Sequence, residues 1–465
     1  MEYISLNSIV KAVEGKLLIK GSKELFNSIS IDTRKIEPES IFIAIKGEKF
    51  NANNFTVEAS KKGAALCIVD EIKFEKQDIN KDTSVVIVEN TKKALLKLAE
   101  FYRSTLNIKI VGITGSTGKT STKDMTYAIL SEKYKVFKTQ GNFNNEIGLP
   151  LMIFNLDNSY DIAVLEMGMS NFFEIHNMVE AARPDIALIT NIGISHIENL
   201  KTREYILEAK LEIADYFNDH STLILNVDND MLSTVTREDK IYKIIKTGIE
   251  SSCDVKAENA RLEETSVIFD IFKNDKLMFK DFKIDLPGKH NISNALLVIA
   301  CGELFGLTYE EMNKGIEKLN MTSMRLDIVK GEKYTIVDDC YNASPDSMIA
   351  AIDVLKNISG ERKIAVFGTM RELGDRAYDA HKEIGAYARK NLVDLLVVLG
   401  EFKAAFEEGF KDNEKIKYFV STEEAAEFLE SFLEKKDVIL VKASRAMKFE
   451  KIVEHLKKGN KLIDR

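Results

Sequence analysis

The sequence predicts an α/β protein built on parallel sheets and divided into three domains. Three observations carry this expectation. The chain has 465 residues, more than one ordinary core accommodates. Short apolar runs alternate with helical patterns, the signature of parallel strands covered by helices. The runs also fall into three groups, giving expected domains at 1–84, 85–322 and 323–465.

Composition narrows the class. Hydrophobic residues make up 45%, charged residues 30%, and the net charge is −8. No long Lys/Arg block is present, so nucleic acid and anionic membranes are not expected partners. No apolar stretch reaches the ~18 residues of a membrane span. The N-terminal MEYISLNSIV lacks a basic region followed by an apolar run, so no signal peptide is expected. Cys67, Cys253, Cys301 and Cys340 are scattered without metal or redox spacing, which suits a reducing, cytoplasmic location.

In chain order, KLLI (16–19), SIFIAI (40–45) and AALCIVD (64–70) read as strands of the first domain. The polar stretch FEKQDINKDTS (74–84) reads as a linker. VVIVE (85–89) and the helical TKKALLKLAEFYRSTL then open the second domain. IKIVGIT (108–114) is a buried strand leading into a glycine loop, and KDMTYAIL continues as a helix. Further strands are expected in YDIAVLEMG (160–168), PDIALITNIG (184–193) and STLILNVDND (221–230), with a helix in TREYILEAKLEIADYF (202–217). From about 254 to 287 the period falls to two and reads as antiparallel, before a helix at NISNALLVIACGELFG. The third domain offers YTIVDD (334–339), KIAVFG (363–368), DLLVVLG (394–400) and DVILVKAS (437–444). The last three are each followed by helical pattern, as in a dinucleotide-type fold.

The stretch 112-GITGSTGKTS-121 resembles a phosphate-binding loop but departs from G-x-x-x-x-G-K-[ST], because position 113 is Ile. The chemistry survives that departure. Gly115 and Gly118 let backbone N–H groups of Gly115, Ser116, Thr117 and Gly118 turn toward phosphate oxygens. Lys119 supplies a cation, the Thr120 hydroxyl suits Mg²⁺, and Ser121 lies in the first turn of the following helix. Glu166 ends a predicted strand, at the edge where open parallel sheets bind ligands, and a carboxylate there suits Mg²⁺. His196 falls just beyond the next strand, where a structural role competes with a catalytic one. Lys210 shares an apolar face with Ile206, Ile213 and Phe217, a position from which lysines commonly snorkel.

These residues are similar to those of the Mur ligases, the ATP-dependent ligases of peptidoglycan precursor synthesis, whose loop has the form T-G-[ST]-x-G-K-[TS]. The resemblance runs nearly end to end. It covers 31-IDTRKIEPESIFIAIKGEKFNANNF-55, then 140-QGNFNNEIGLP-150, 208-EAKLEI-213 and 287-PGKHNISNAL-296. In the third domain it covers 325-RLDIV-329, 338-DDCYNASPDSM-348, 367-FGTMRELGD-375 and 441-VKASRAMKFEKIV-453. It implies a small N-terminal uridine-nucleotide domain, a central P-loop ATPase domain and a C-terminal Rossmann-like domain; three domains suit such chemistry, and closure of the third is expected to assemble the site.

The GNFNNEIG and DDCYNASPDSM forms resemble most the members that join D-alanyl-D-alanine to UDP-N-acetylmuramoyl-tripeptide, and no D-N-P-R box of the sister ligase is present. The resemblance implies Lys119 and Thr120 on the ATP phosphates and Mg²⁺, Glu166 as a Mg²⁺ ligand, His196 supporting a second Mg²⁺, and Lys210 carbamylated. It implies Asn294 on the adenine side, with Arg325 and Asp339 reaching the nucleotide. Asp32, Thr33, Arg34, Lys46 and Gly47 are implied for the uridine nucleotide, although Arg34 and Lys46 also suit a plain solvated surface. Asn142, Asn144 and Asn145 are implied for the sugar and peptide. The stretch 166-EMGMSNFFEI-175 departs from a more polar family pattern, leaving Met169, Phe172 and Phe173 as packing or peptide residues. The implied reaction runs through an acyl phosphate, and the implied state is a monomer. The alternatives are the sister ligase that adds a free amino acid, a folylpolyglutamate-type ligase, and a nucleotide switch without ligation.

Overall fold

The structure, a computed structural model, describes residues 1–461. The N-terminal sheet has five strands in the order Lys16–Ile19, Ser84–Ile87, Leu66–Val69, Ile41–Ile43 and Ile29–Ser30. All neighbours are parallel except the first pair. Phe42, Cys67, Val69 and Val85 pack on one face of it against Ala52 and Ala59. The expected boundary at 84/85 therefore cuts a strand: Ser84–Ile87 belongs to the first domain, and 74–83 is a crossover within it. That crossover has the polar composition of a linker. Ile79 is buried beneath it, and the Thr83 hydroxyl donates to Ala64 O at 2.7 Å, so solvent-facing polar residues conceal an anchored loop.

The central sheet has nine strands. From one edge they are Lys276–Ile284, Val267–Lys273, Val255–Leu262, Lys243–Gly248, Thr222–Asn226, Ile186–Ile189, Lys109–Thr114, Ile162–Glu166 and Val136–Lys138. The stretch from 254 to 287 is antiparallel, as its period predicts. Lys243–Gly248 was not foreseen, because two lysines and a terminal glycine dilute its apolar signal. The interior strands are apolar on both faces: Ile110, Val111 and Ile113 are fully buried, each worth about 1.5–3 kcal/mol by transfer. The helix Thr91–Ser104 starts where Asn90 accepts the N–H of Lys93, as a cap should.

The C-terminal sheet has six strands in the order Asp327–Lys330, Thr335–Asp338, Val438–Lys442, Lys363–Phe367, Leu395–Leu399 and Ile416–Phe419. Only the first pair is antiparallel. The two strands missed from sequence lie at its edges, where one side faces solvent and the apolar run is broken.

By packing, the chain forms two compact units. One comprises Met1–Gly112, Tyr134–Ala187 and Leu211–Ser221; the other comprises Ile113–Lys133, Leu188–Lys210 and Thr222–Arg465. Among the described residues no helix is long and apolar enough to cross a membrane.

Candidate active site

In the second unit, the buried strand ending at Thr114 delivers the chain into a loop whose glycines are required by space. Gly115 has φ +147, and a Cβ there would stand 1.8 Å from Thr190 Oγ1. Gly118 has φ +79 and precedes the helix Lys119–Leu130; its Cβ would stand 2.8 Å from Asn294 Oδ1. The loop is clamped by its neighbour. Thr117 N donates to Asn191 Oδ1 at 2.9 Å, and Asn191 Nδ2 donates to Thr117 Oγ1 at 2.6 Å. Gly193 N donates to Ser116 Oγ at 2.9 Å. Lys119 Nζ donates to Gly115 O at 2.8 Å, so the cation is folded over the loop it serves. Ser121 is half-buried on the first helical turn.

The third domain supplies a cation to the same place. Arg325 Nη2 donates to Thr120 Oγ1 at 3.1 Å, and its guanidinium lies 4.0 Å over the Tyr341 ring. Met324 and Leu326 on either side take left-handed φ values of +63 and +50. The segment is tied at both ends. Asp124, one turn beyond Thr120 on the phosphate-loop helix, accepts Thr322 N at 2.9 Å and Thr322 Oγ1 at 2.8 Å. Leu326 N donates to Asp339 Oδ1 at 3.2 Å. Asp339 also pairs with Lys442, which is 3% exposed and whose amine is pushed down by burial, with Asp339 opposing. The Asp339 carboxylate thus organises the Arg325 segment, and Lys442, unremarked in the sequence, is its partner.

Lys210 is 1% exposed, and its amine is driven well below the usual range by burial and then by the nearby charge of Lys119. It is therefore a buried amine held toward neutrality rather than a snorkelling one. His196 has φ +67, and its Nδ1 lies 2.7 Å from Glu372 Oε2. The His196 contact holds the Glu372 carboxyl below its usual value. Glu372 lies inside FGTMRELGD, but its individual role was not legible. The segment carrying it is fixed by His381, which stacks on Phe402 at 4.1 Å and accepts Met370 N at 2.8 Å through Nε2. Asp346 is another unforeseen residue. A Cβ on Gly193 would stand 1.9 Å from its Oδ2, so that glycine admits the carboxylate. Burial raises the Asp346 carboxyl, and Arg203 opposes the shift.

In the first unit, Glu166 is 4% exposed at the end of its strand. Its N–H donates to Thr139 Oγ1 at 2.9 Å, and its Oε1 accepts Asn144 Nδ2 at 2.9 Å. Asn145 Oδ1 accepts Gly148 N at 2.8 Å and starts the helix Gly148–Ile153; Asn142 is exposed.

The N-terminal candidates lie along one sheet edge because three parallel strands end there. Asp32 and Arg34 form an ion pair of 2.7 Å around the turn Thr33–Lys35, with Thr33 half-buried, and the Arg34 contact holds the Asp32 carboxyl down at about 2. Lys46 pairs with Glu71 at 2.5 Å, and Asn51 Nδ2 donates to the other Glu71 oxygen at 3.0 Å. Gly47 is exposed, with only Phe50 O within 4 Å of a Cβ placed there.

In the second unit the Thr120 hydroxyl is a hard oxygen of the kind Mg²⁺ prefers, to which a carbamylated Lys210 would add two; in the first unit the Glu166 carboxylate is a hard donor of its own. The ring nitrogen of His196 suits Mg²⁺ better through a bound water than directly. Among the described residues no group of three or more His, Cys, Asp and Glu could hold a metal ion.

A phosphate loop on a parallel-sheet core, met by an arginine from a third domain, defines a nucleotide-dependent enzyme of the P-loop kind. Residues 113–302 match the Mur ligase middle domain, and residues 324–445 match the Mur ligase, glutamate ligase domain. The UDP-N-acetylmuramoyl-tripeptide–D-alanyl-D-alanine ligase of Bacillus subtilis (strain 168) is 36% identical over 459 residues, covering 97% of this chain and 98% of that protein. The enzyme of the same name from Escherichia coli (strain K12) is 31% identical, covering 98% and 99%. The crystal structure of MurF from Acinetobacter baumannii superposes with a TM-score of 0.90 at 29% identity, covering 98% and 99%. MurF ligase from Thermotoga maritima in complex with ADP gives 0.82 at 29% identity, covering 93% and 97%. The chain belongs to the Mur ligase family, and within it to the UDP-N-acetylmuramoyl-tripeptide–D-alanyl-D-alanine ligases.

Proposed function

We propose that the chain joins D-alanyl-D-alanine to UDP-N-acetylmuramoyl-tripeptide, consuming ATP and giving the UDP-muramoyl-pentapeptide, ADP and phosphate. The observation that carries this reading is the Lys119, Thr120 and Arg325 constellation, set in a chain alike over nearly its whole length to enzymes of that name. In water, a carboxylate and an amine form only a salt. The tripeptide carboxylate attacks the γ-phosphorus of ATP, the bond to the β-phosphate bridge breaks, and an acyl phosphate and ADP result. The dipeptide amine, once deprotonated, then attacks the acyl carbon, and the tetrahedral adduct expels phosphate.

The protein's work is positioning and charge neutralisation. Lys119 and the loop N–H groups cradle the phosphates, and Arg325 adds positive charge beside Thr120. Asn294, beside Gly118, takes the adenine side. The family resemblance offers Thr120, Glu166 and a carbamylated Lys210 as Mg²⁺ ligands and His196 as support for a second Mg²⁺, and such ions would neutralise phosphate charge. A neutral buried amine is the form that adds to CO₂, and the resulting anion would lie beside the Lys119 cation. The N-terminal edge bearing Asp32, Thr33, Arg34, Lys46 and Gly47 takes the uridine nucleotide, and Asn142, Asn144 and Asn145 take the sugar and peptide. The domains divide the work: the first holds the uridine nucleotide, the second the ATP, and the third brings Arg325. A monomer in the cytoplasm, where ATP and the nucleotide-sugar substrates are made, suits this role.

The acceptor is tested by competition. Given UDP-muramoyl-tripeptide with D-alanyl-D-alanine, and UDP-muramoyl-dipeptide with free amino acids, the product mass should be the pentapeptide alone. A tripeptide product would move the activity to the sister ligase.

A further inference from the structure

Phe173 lies in the departure segment after Glu166, and the structure separates it from its neighbours. Met169 is 4% exposed and packs, whereas Phe173 is 67% exposed. Its backbone is in the left-handed region at φ +68, which costs a β-carbon-bearing residue free energy that glycine avoids. Such a conformation persists only where the surroundings over-determine it.

Two carboxylates do so here. Glu212, 8% exposed, accepts Phe173 N at 2.8 Å and His176 N at 3.1 Å, capping the helix Glu174–Ala182 from a distant part of the chain. Glu174 accepts Ser170 N at 2.8 Å and Asn171 Nδ2 at 2.9 Å, fixing the loop before the ring. A strained backbone and two acidic clamps thus hold an aromatic ring that is two-thirds exposed, with His176 edge-on at 6.2 Å and the Phe172 ring at 6.4 Å.

The ring's place in the fold points to its use. Strands Val136–Lys138 and Ile162–Glu166 are parallel neighbours, so the loops that follow them share one sheet edge. Those loops are joined where Gly168 N donates to Asn144 O at 2.7 Å, and the helix that follows is tied to the first loop where Asn177 Nδ2 donates to Glu146 Oε1 at 2.7 Å. The asparagine loop carries its own exposed ring, Phe143, at 41%. Two open aromatic rings therefore stand on the paired loops that frame Glu166 and Asn144.

We infer that Phe173 is a specificity-determining contact for the sugar–peptide portion of the nucleotide substrate, packing its face on C–H-rich surface of that portion. The assignment rests on the ligase reading above. An aromatic face recognises aliphatic side-chain stems and the apolar faces of sugars, which carry no charge for the loop to match.

The test uses the full chain with Phe173→Gly and Phe173→Asn, both of which accept a left-handed backbone. Both should melt higher than the parent, by about 2 °C, because strain is relieved. Both should nevertheless raise KM for UDP-muramoyl-tripeptide about five- to tenfold, the loss of one modest aromatic contact, with KM for ATP and for D-alanyl-D-alanine unchanged. Variants that are more stable yet keep the parental KM for the nucleotide substrate overturn the role of Phe173. A parent chain that makes no pentapeptide in the same assay overturns the ligase reading, and this inference with it.

Discussion

Lys210 shows at the scale of one residue what position does to chemistry. Its apolar helical face was visible in the sequence, but burial and the proximity of Lys119 were not, since those two residues meet only in the fold. Growth or incubation with isotope-labelled bicarbonate should place a carbamate carbon on Lys210, read by NMR, and Lys210→Met should remove both that signal and ligation. Label-free protein with full activity would contradict the modification. His381 carries a pH prediction. Burial holds its ring down at about 4 against the usual 6.5, so the folded protein binds fewer protons than the unfolded chain between those values. The associated stability is complete above pH about 6.5 and lost as pH falls through 4, amounting to roughly 3 kcal/mol. His381→Asn, at constant ionic strength, should flatten the melting temperature over that interval. An unchanged acid slope would show that other groups set it, His290 first, since burial holds its ring at about 4 as well.

At the scale of elements, the phosphate loop and the strand before it were the most legible parts. An apolar strand, two glycines and Gly-Lys-Thr encode their geometry locally. Gly115→Ala should lower kcat/KM for ATP at least a hundredfold while circular dichroism keeps its native form, because a Cβ there would overlap Thr190 Oγ1 at 1.8 Å. Arg325 was named from the family resemblance, but the way its segment is held was not legible, because that geometry comes from remote partners. Asp124 holds Thr322 through two hydrogen bonds, and Arg325 touches Thr120 one turn earlier on the same helix. Asp124→Ala should therefore weaken ATP binding by calorimetry about tenfold. Combined with Arg325→Ala it should add little further, since both act through one segment. Full additivity would show that Asp124 acts elsewhere. The pairs His196–Glu372 and Asp339–Lys442 were hidden for the same reason: each joins residues far apart in sequence.

At the scale of the whole molecule, alternation of strands and helices foretold α/β architecture, because parallel sheets need a covering crossover between successive strands. The first boundary was misplaced because a polar crossover and a polar linker have the same composition, and only the pairing of Ser84–Ile87 with Leu66–Val69 distinguishes them. Function was legible because chemistry-bearing motifs recur in all three domains, whereas the contacts that align them belong to tertiary structure. The most direct measurement of the central claim is phosphate release by the full chain with ATP, Mg²⁺ and UDP-muramoyl-tripeptide, with and without D-alanyl-D-alanine. Release should depend on the dipeptide and match pentapeptide formation mole for mole. Sustained release that needs neither acceptor nor nucleotide-sugar would contradict it and make the protein an ATPase.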